Sequence, residues 1–162
     1  MSSPGPTAPT SSLYSGIDLG TSGCRAVAID SQGDIAGESR RPLPAPLHRD
    51  GGREQDPWLW WDAVNRVLHQ LTEQIPAHAV CALAVDGTSG TILLTDTAGD
   101  PRGPALMYND NRAVAEAGRI ATAAPPASAV HGTGSGLAKL LWLLAHHADS
   151  ASHVATQADW VS

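Results

Sequence analysis

Residues 14–30, YSGIDLGTSGCRAVAID, read as a short apolar strand, a polar glycine turn (Asp18, Gly20, Thr21, Ser22, Gly23) and a second strand. The second strand is legible because Ala26, Ala28 and Asp30 alternate with Val27 and Ile29. Asp30-Ser-Gln-Gly33-Asp34 then supplies turn chemistry, so a third strand can fold back antiparallel. A turn of Gly, Thr and Ser at the end of a buried strand offers backbone N–H groups and hydroxyls that suit phosphate oxygens. A carboxylate at its mouth suits a hydrated Mg²⁺. The same residues also make an ordinary hairpin, and the turn alone does not separate the two readings.

Further along, Ala79 to Asp86 (AVCALAVD) is a continuous apolar run of strand length, which predicts a central strand covered on both faces. It ends in Asp86-Gly-Thr-Ser-Gly90-Thr91, an echo of Asp18-Leu-Gly-Thr-Ser-Gly23. Each copy leads into a strand and then an acidic glycine turn, Asp30–Asp34 in the first case and Asp96–Asp100 in the second. One turn chemistry used twice would account for this. The sharper reading is that two parallel strands end at the same sheet edge and aim both hydroxyl-rich turns at one cleft, where open α/β sheets bind their ligands.

Between the two copies, Ile35 to Pro46 supplies the third strand, fraying at Pro42, Pro44 and Pro46, and His48 to Gln55 reads as a polar loop around Gly51-Gly52. Asp56-Pro57 starts a helix with an N-cap and a proline at the first helical position. Trp58, Trp61, Val64, Leu68, Leu71 and Ile75 mark its buried face, and Pro76 stops it. Two of Trp58, Trp60 and Trp61 are expected to anchor it on the sheet, a stacking platform being the alternative. Pro104 to Asp110 reads as a strand delivering Asn109 and Asp110, which either cap the next helix or bind hydroxyls of a small polyol. That helix is expected from about Asp110 to Ala124, with Arg112, Glu116 and Arg119 on its polar side and Arg112 a solvated charge. His131-Gly-Thr-Gly-Ser-Gly136 reads as a loop with Ser135 capping a helix from Leu137 to His147. Lys139 follows its glycines too soon for a phosphate loop of Walker type.

Composition narrows the classes. A chain of 162 residues, 42% hydrophobic, can bury one core. A net charge of -6 and a pI near 5.5 argue against nucleic-acid or anionic-membrane partners. The two cysteines, Cys24 and Cys81, match no paired spacing and are expected reduced and buried in strands, which suits a cytoplasmic setting. No apolar run is long enough to span a bilayer, and the N-terminus lacks a signal-peptide pattern. Residues 1–12, rich in Pro, Ser and Thr, are expected to be a disordered tail, and 13–162 one domain.

The opening strand–turn–strand, Glu54-Gln55-Asp56-Pro57 with Trp61, Gly87-Thr-Ser-Gly90, Tyr108-Asn-Asp-Asn-Arg112, Lys139-Leu-Leu-Trp142 and Asp159-Trp160 occur in one order. That order resembles the amino-terminal domain of the FGGY carbohydrate kinases, most of all the ribulokinase/xylulokinase-like branch. The resemblance implies an α/β, actin-like (ribonuclease-H-like) ATPase domain, a mixed sheet flanked by helices, and the first of two family domains only. It also implies ATP and Mg²⁺ between the domains, with a sugar bound mainly against the first. By match to the family's motifs, Asp18 would hold Mg²⁺, and Gly20, Thr21 and Ser22 would contact the ATP phosphates. Arg25 falls where some relatives carry an arginine facing the γ-phosphate. Ser89 and Gly90 would contact the sugar, with Asn109 and Asp110 nearby.

Family members are roughly three times as long, which is consistent with two domains of ordinary size. The general-base aspartate, the second phosphate motif and the adenosine motif belong to the part not present, so no catalytic residue is assigned. The chain is therefore expected to be truncated and not competent alone, with a separately encoded carboxyl-terminal half as a possible partner. Leu140, Leu141 and Leu144 are expected to expose apolar surface at the cut end. The competing functions are a non-catalytic sugar- or phosphate-binding module and an actin-fold ATPase unrelated to sugars.

Overall fold

The strand that opens the sequence is hydrogen-bonded on both sides. In the computed structural model, described over residues 12–49, 51–147 and 153–162, β1 (Leu13–Leu19) pairs antiparallel with β2 (Gly23–Ile29), which pairs antiparallel with β3 (Ile35–Pro42). On its other side β1 pairs in parallel with β6 (Val80–Gly87), giving a four-stranded sheet in the order β3-β2-β1-β6. A second, five-stranded sheet runs β4 (Leu47–Arg49), β5 (Gly52–Gln55), β8 (Ala105–Leu106), β7 (Ile92–Thr95), β9 (His153–Thr156). The expected tail falls almost wholly on residues 1–11, which lie outside the described residues.

Burial alternates along β1: Leu13, Ser15, Ile17 and Leu19 are buried, while Tyr14, Gly16 and Asp18 are open. The buried side packs against α1 (Pro57–Thr72). Asp56 caps that helix, its side chain accepting from Trp58 N–H at 3.0 Å. Its buried face is Pro57, Trp60, Ala63, Val64, Val67 and Leu71, so the face expected from the sequence is rotated: Trp58 and Trp61 are 49% and 45% exposed. Only Trp60 of the three neighbouring tryptophans anchors the helix. It can be buried because its Nε1–H donates to Gln55 Oε1 at 2.7 Å, a partner that spacing along the helix does not disclose.

Four further expectations are corrected. The run around Ala79–Asp86 is not a central strand covered on both faces. As β6 it is the edge of its sheet, paired with β1 on one side only among the described residues, with Cys81, Ala82, Leu83 and Ala84 exposed. Cys81 is accordingly exposed, whereas Cys24 is buried. The segment His48–Gln55 is not a loop but contains the β4–β5 hairpin, whose charged residues suit the edge of the second sheet. The strand expected over Pro104–Asp110 shrinks to Ala105–Leu106.

Helix α2 (Val114–Ala123) starts four residues later than expected, and Glu116 lies on its buried side. The delay follows from Arg112, which is an interior group rather than a solvated charge. Its guanidinium meets Glu54 Oε1 at 2.6 Å and Asp110 Oδ2 at 2.8 Å, with side-chain exposures of 11% for Arg112 and 0% for Asp110. It also lies 4.7 Å over the ring of Trp142 in α3 (Gly136–His147). Burial alone would lower the arginine's pKa, but the hydrogen bonds it donates to Asp110 and Glu54 outweigh it and push the pKa up. Gly52 lies flush against the guanidinium, where any Cβ would collide with it. On α3, Ala138, Lys139 and Leu143 are buried, Leu144 is 45% exposed, and Leu140 and Leu141 are half-buried. A last short helix, α4 (Gln157–Val161), packs beside the end of β6.

Two measurements test this packing. Iodoacetamide at mildly alkaline pH is expected to modify Cys81 in the folded chain and to spare Cys24, whose thiol is pushed up to about 11 by burial first and by the Asp18 charge second. Equal labelling of both without denaturant, read by peptide mass spectrometry, would contradict the assigned strand faces. Urea unfolding should show Arg112→Leu losing about 3–5 kcal/mol, because Asp110 is left buried and unpaired. Arg25→Leu, in an exposed pair, should stay within about 1 kcal/mol of wild type.

Candidate functional site

The parallel pairing of β1 with β6 sets Asp18 opposite Asp86 and Leu19 opposite Gly87, so both glycine–hydroxyl turns leave the sheet at one level. Two parallel strands do therefore end together, as the internal echo suggested. The Thr88 hydroxyl reaches back to the Leu19 carbonyl at 3.5 Å, a long contact that ties the second turn to the first strand.

The first turn is closed by Gly20 N–H donating to the Gly23 carbonyl at 2.9 Å. Its carbonyls are occupied: Leu43 N–H donates to Ser22 O at 2.9 Å and Gln55 Nε2 to Thr21 O at 3.4 Å. Among the described residues no acceptor takes the amides of Thr21 or Ser22. The turn thus keeps donors in reserve, which is the polarity an anion requires. A cavity of 620 Å³ opens beside it, lined by Asp18, Gly20, Ser22, Arg25, Arg40 and Arg41 among others. Cross-strand register explains the charges: Asp86, Asp18, Arg25 and Arg40 stand directly opposite one another across four strands, all exposed. Arg25 is held by Glu38 at 2.8 Å. Among the described residues no three acids, histidines or cysteines gather as a metal cage. One carboxylate at the mouth of a turn with free amide donors fits Mg²⁺, which keeps most of its waters and takes its remaining ligands from phosphates.

The second turn is built from three directions. Gly90 adopts φ +76°, a conformation that glycine tolerates without strain, and Ser89 is exposed. Gln157 on α4 brackets the turn, its N–H donating to Thr91 O at 3.2 Å and its Oε1 accepting from Thr88 N–H at 2.8 Å. The Thr91 hydroxyl accepts from Tyr108 N–H at 3.1 Å, which brings the segment carrying Asn109 and Asp110 alongside. Asp110 is fully buried, accepting from the amides of Arg53 at 2.6 Å and Arg112 at 3.1 Å as well as from the Arg112 side chain. The open capacity lies in its neighbour. Asn109 Oδ1 is a buried acceptor without a partner among the described residues, and Gln157 Nε2 is a buried donor without one there. An unpaired acceptor and an unpaired donor beside this turn are each a group that a ligand hydroxyl, donor and acceptor at once, can pair with.

Sequence reasoning missed Lys139 and Gln157. Lys139 is fully buried on α3 and donates to three backbone carbonyls of this site. Its signal was a lone charge within the apolar run Leu137–Leu144. Gln157 carried no such mark. Ser135 does cap α3, accepting from Ala138 N–H at 3.1 Å. Trp58 and Trp61 pack edge-on to Trp160, 5.6 and 6.2 Å between ring centres, beside a separate cavity of 560 Å³.

Comparison with known proteins agrees with this architecture. The model of the FGGY family of carbohydrate kinases, N-terminal domain, matches residues 13–161. A xylulose kinase of Escherichia coli (strain K12) is 30% identical over 138 residues, covering 83% of this chain and 28% of that protein. A glycerol kinase of Gloeobacter violaceus is 31% identical over 137 residues, covering 80% of this chain and 27% of that protein. The crystal structure of a xyloylose kinase from Brucella ovis superposes with a TM-score of 0.83 at 26% identity, over 92% of this chain and 33% of that one. The chain thus spans less than a third of the length of the curated relatives it matches. It has the actin-like ATPase fold of those sugar kinases, and it belongs to the FGGY family of carbohydrate kinases as a counterpart of their N-terminal domain.

Proposed function

We propose that the chain is the amino-terminal part of an ATP-dependent sugar kinase that phosphorylates a hydroxyl of a ketopentose or related polyol, of the ribulose or xylulose type. The observation that carries the reading is the register that sets Asp18 opposite Asp86 and brings an anion-suited turn level with a hydroxyl-suited one. Phosphoryl transfer asks for this arrangement, since its catalysis is mainly placement and charge stabilisation.

In this reading Mg²⁺ and ATP supply the transferable phosphoryl group and much of the charge neutralisation. Asp18 holds the metal. The amides and hydroxyls of Thr21 and Ser22, with Gly20 allowing close approach, bind phosphate oxygens, and Arg25 adds positive charge. Ser89, Gly90 and Asn109 bind the sugar, with Asp110 fixing that turn from beneath. The base that takes the hydroxyl proton is supplied from sequence outside these residues, in a separately encoded half or a longer chain. This stretch alone is then expected to bind and not to turn over. A cytoplasmic setting, where ATP is available and thiols stay reduced, completes the reading. The described residues contain no helix long and apolar enough to cross a membrane.

The test pairs a coupled ADP-release assay, run with ATP, Mg²⁺ and xylulose, ribulose or glycerol, with calorimetric titration of each sugar and of ATP with and without Mg²⁺. The expected result is binding of a ketopentose without turnover. Ser89→Ala should weaken that binding about ten-fold, as for one hydrogen bond lost. Asp18→Asn should abolish the Mg²⁺ dependence of ATP binding while leaving sugar binding intact. Turnover by the chain alone would place a base within it. Nucleotide binding indifferent to every sugar would favour an ATPase unrelated to sugars, and sugar binding without any for ATP a non-catalytic module.

A further inference from the structure

Lys139 is the most deeply buried cation of the second turn, and its surroundings differ from those of a stray charge. Its Nζ donates to the carbonyls of Gly90 at 2.5 Å, Met107 at 3.0 Å and Tyr108 at 3.2 Å. An ammonium has three N–H bonds, so three carbonyl oxygens saturate it and leave nothing for a ligand or a proton transfer. Burial lowers its pKa, and the Asp110 charge works in the opposite direction. A buried charge is weak evidence of stability, since an apolar side chain of the same volume often serves as well or better. What the ammonium does that a hydrocarbon cannot is draw three carbonyls to one point.

Those three carbonyls belong to residues next to the proposed sugar contacts. Gly90 follows Ser89, and Tyr108 precedes Asn109. The two segments are also joined by the antiparallel pairing of β7 with β8 at Ile92 and Leu106 and by the bond from Tyr108 N–H to the Thr91 hydroxyl, but neither of these links reaches the carbonyls of Gly90, Met107 and Tyr108. Lys139 is itself anchored, its N–H donating to Ser135 O at 3.1 Å in the first turn of α3. We propose that Lys139 is a positioning residue of the sugar site: its ammonium fixes the distance between Ser89 and the unpaired Asn109 Oδ1, and so sets which polyol spacing the site accepts. This rests on the reading of those turns as the sugar site.

The experiment uses the whole chain and titrates xylulose by calorimetry into wild type, Lys139→Met, Lys139→Gln and Leu71→Ala. Melting temperatures and the amide NMR resonances of Gly90 and Asn109 are recorded beside it. Lys139→Met keeps the unbranched stem and loses the terminal ammonium with all three donors, and it should weaken xylulose at least about ten-fold and shift both amides. Lys139→Gln keeps two donors and should fall between Met and wild type, which preserves the test if the Met variant does not fold. Leu71→Ala opens a cavity under α1, remote from these turns. It should lower the melting temperature with affinity kept within about two-fold, as distant sites behave independently. Wild-type affinity in a folded Lys139 variant, or an equal loss in Leu71→Ala, would overturn the positioning role. If wild type itself binds no xylulose, the sugar reading fails instead. The Gly90 and Asn109 amides then decide the clamp alone: unmoved in Lys139→Met, they overturn it, and shifted, they uphold it.

Discussion

The in-register parallel pairing of β1 and β6 is the constraint on which the candidate site depends. Parallel neighbours cannot be joined by a tight turn, so the chain must leave β1, build four more strands and a helix, and return. That long route closes correctly because α1 covers the buried side of the sheet it returns to. Once Asp18 and Asp86 are opposite, the two short turns that follow share one edge without further instruction. A one-residue slip would send each strand's apolar set to the wrong face and carry the turns apart with it.

The segment from Met107 to Arg112 is held in a different way, by the largely enclosed Arg112 on one side and the buried Lys139 on the other. Arg112 grips Asp110 and reaches Glu54 on the second sheet, while Lys139 gathers the carbonyls of Met107 and Tyr108 from the helix side. Irregular backbone inside a protein must have its polar groups paired, and here side chains supply partners that neither helix nor strand provides. Asn109 stands between these fixed points with its amide oxygen unmatched. A rigid surround with one open valence is what a selective hydroxyl contact requires.

The other face of the four-stranded sheet carries a different kind of information. Its charged row, Asp86 to Arg40, lies at the turn end, and Tyr14, Ile29 and Ile35 are exposed at the opposite end, at 45%, 36% and 62%. Glycine at position 16 has nothing within 4 Å of where a side chain would begin. Charge at one end and apolar surface at the other arise from alternation along β1 and β2 and through the middle of β3, where Gly37 and Ser39 are the buried positions.

The sequence by itself determined the local elements: the strand pairs, the capped helix after Asp56, the Ser135 cap, and the repetition of one turn chemistry after two strands. These follow from short-range rules, period two in strands and side chains that bond their own backbone. The order of the motifs also carried the family. Tertiary structure decided whatever depended on distant partners. Trp60 turned inward because Gln55 offered its indole an acceptor, and Arg112 became an interior group because Glu54, Asp110 and Trp142 converged on it. The apolar run at β6 became an edge because hydrophobicity marks what a strand can bury and not which neighbours it receives. Lys139 reads along the chain as one charge in a leucine-rich helix. Only the meeting of two remote turns supplies the three carbonyls that make its burial tolerable.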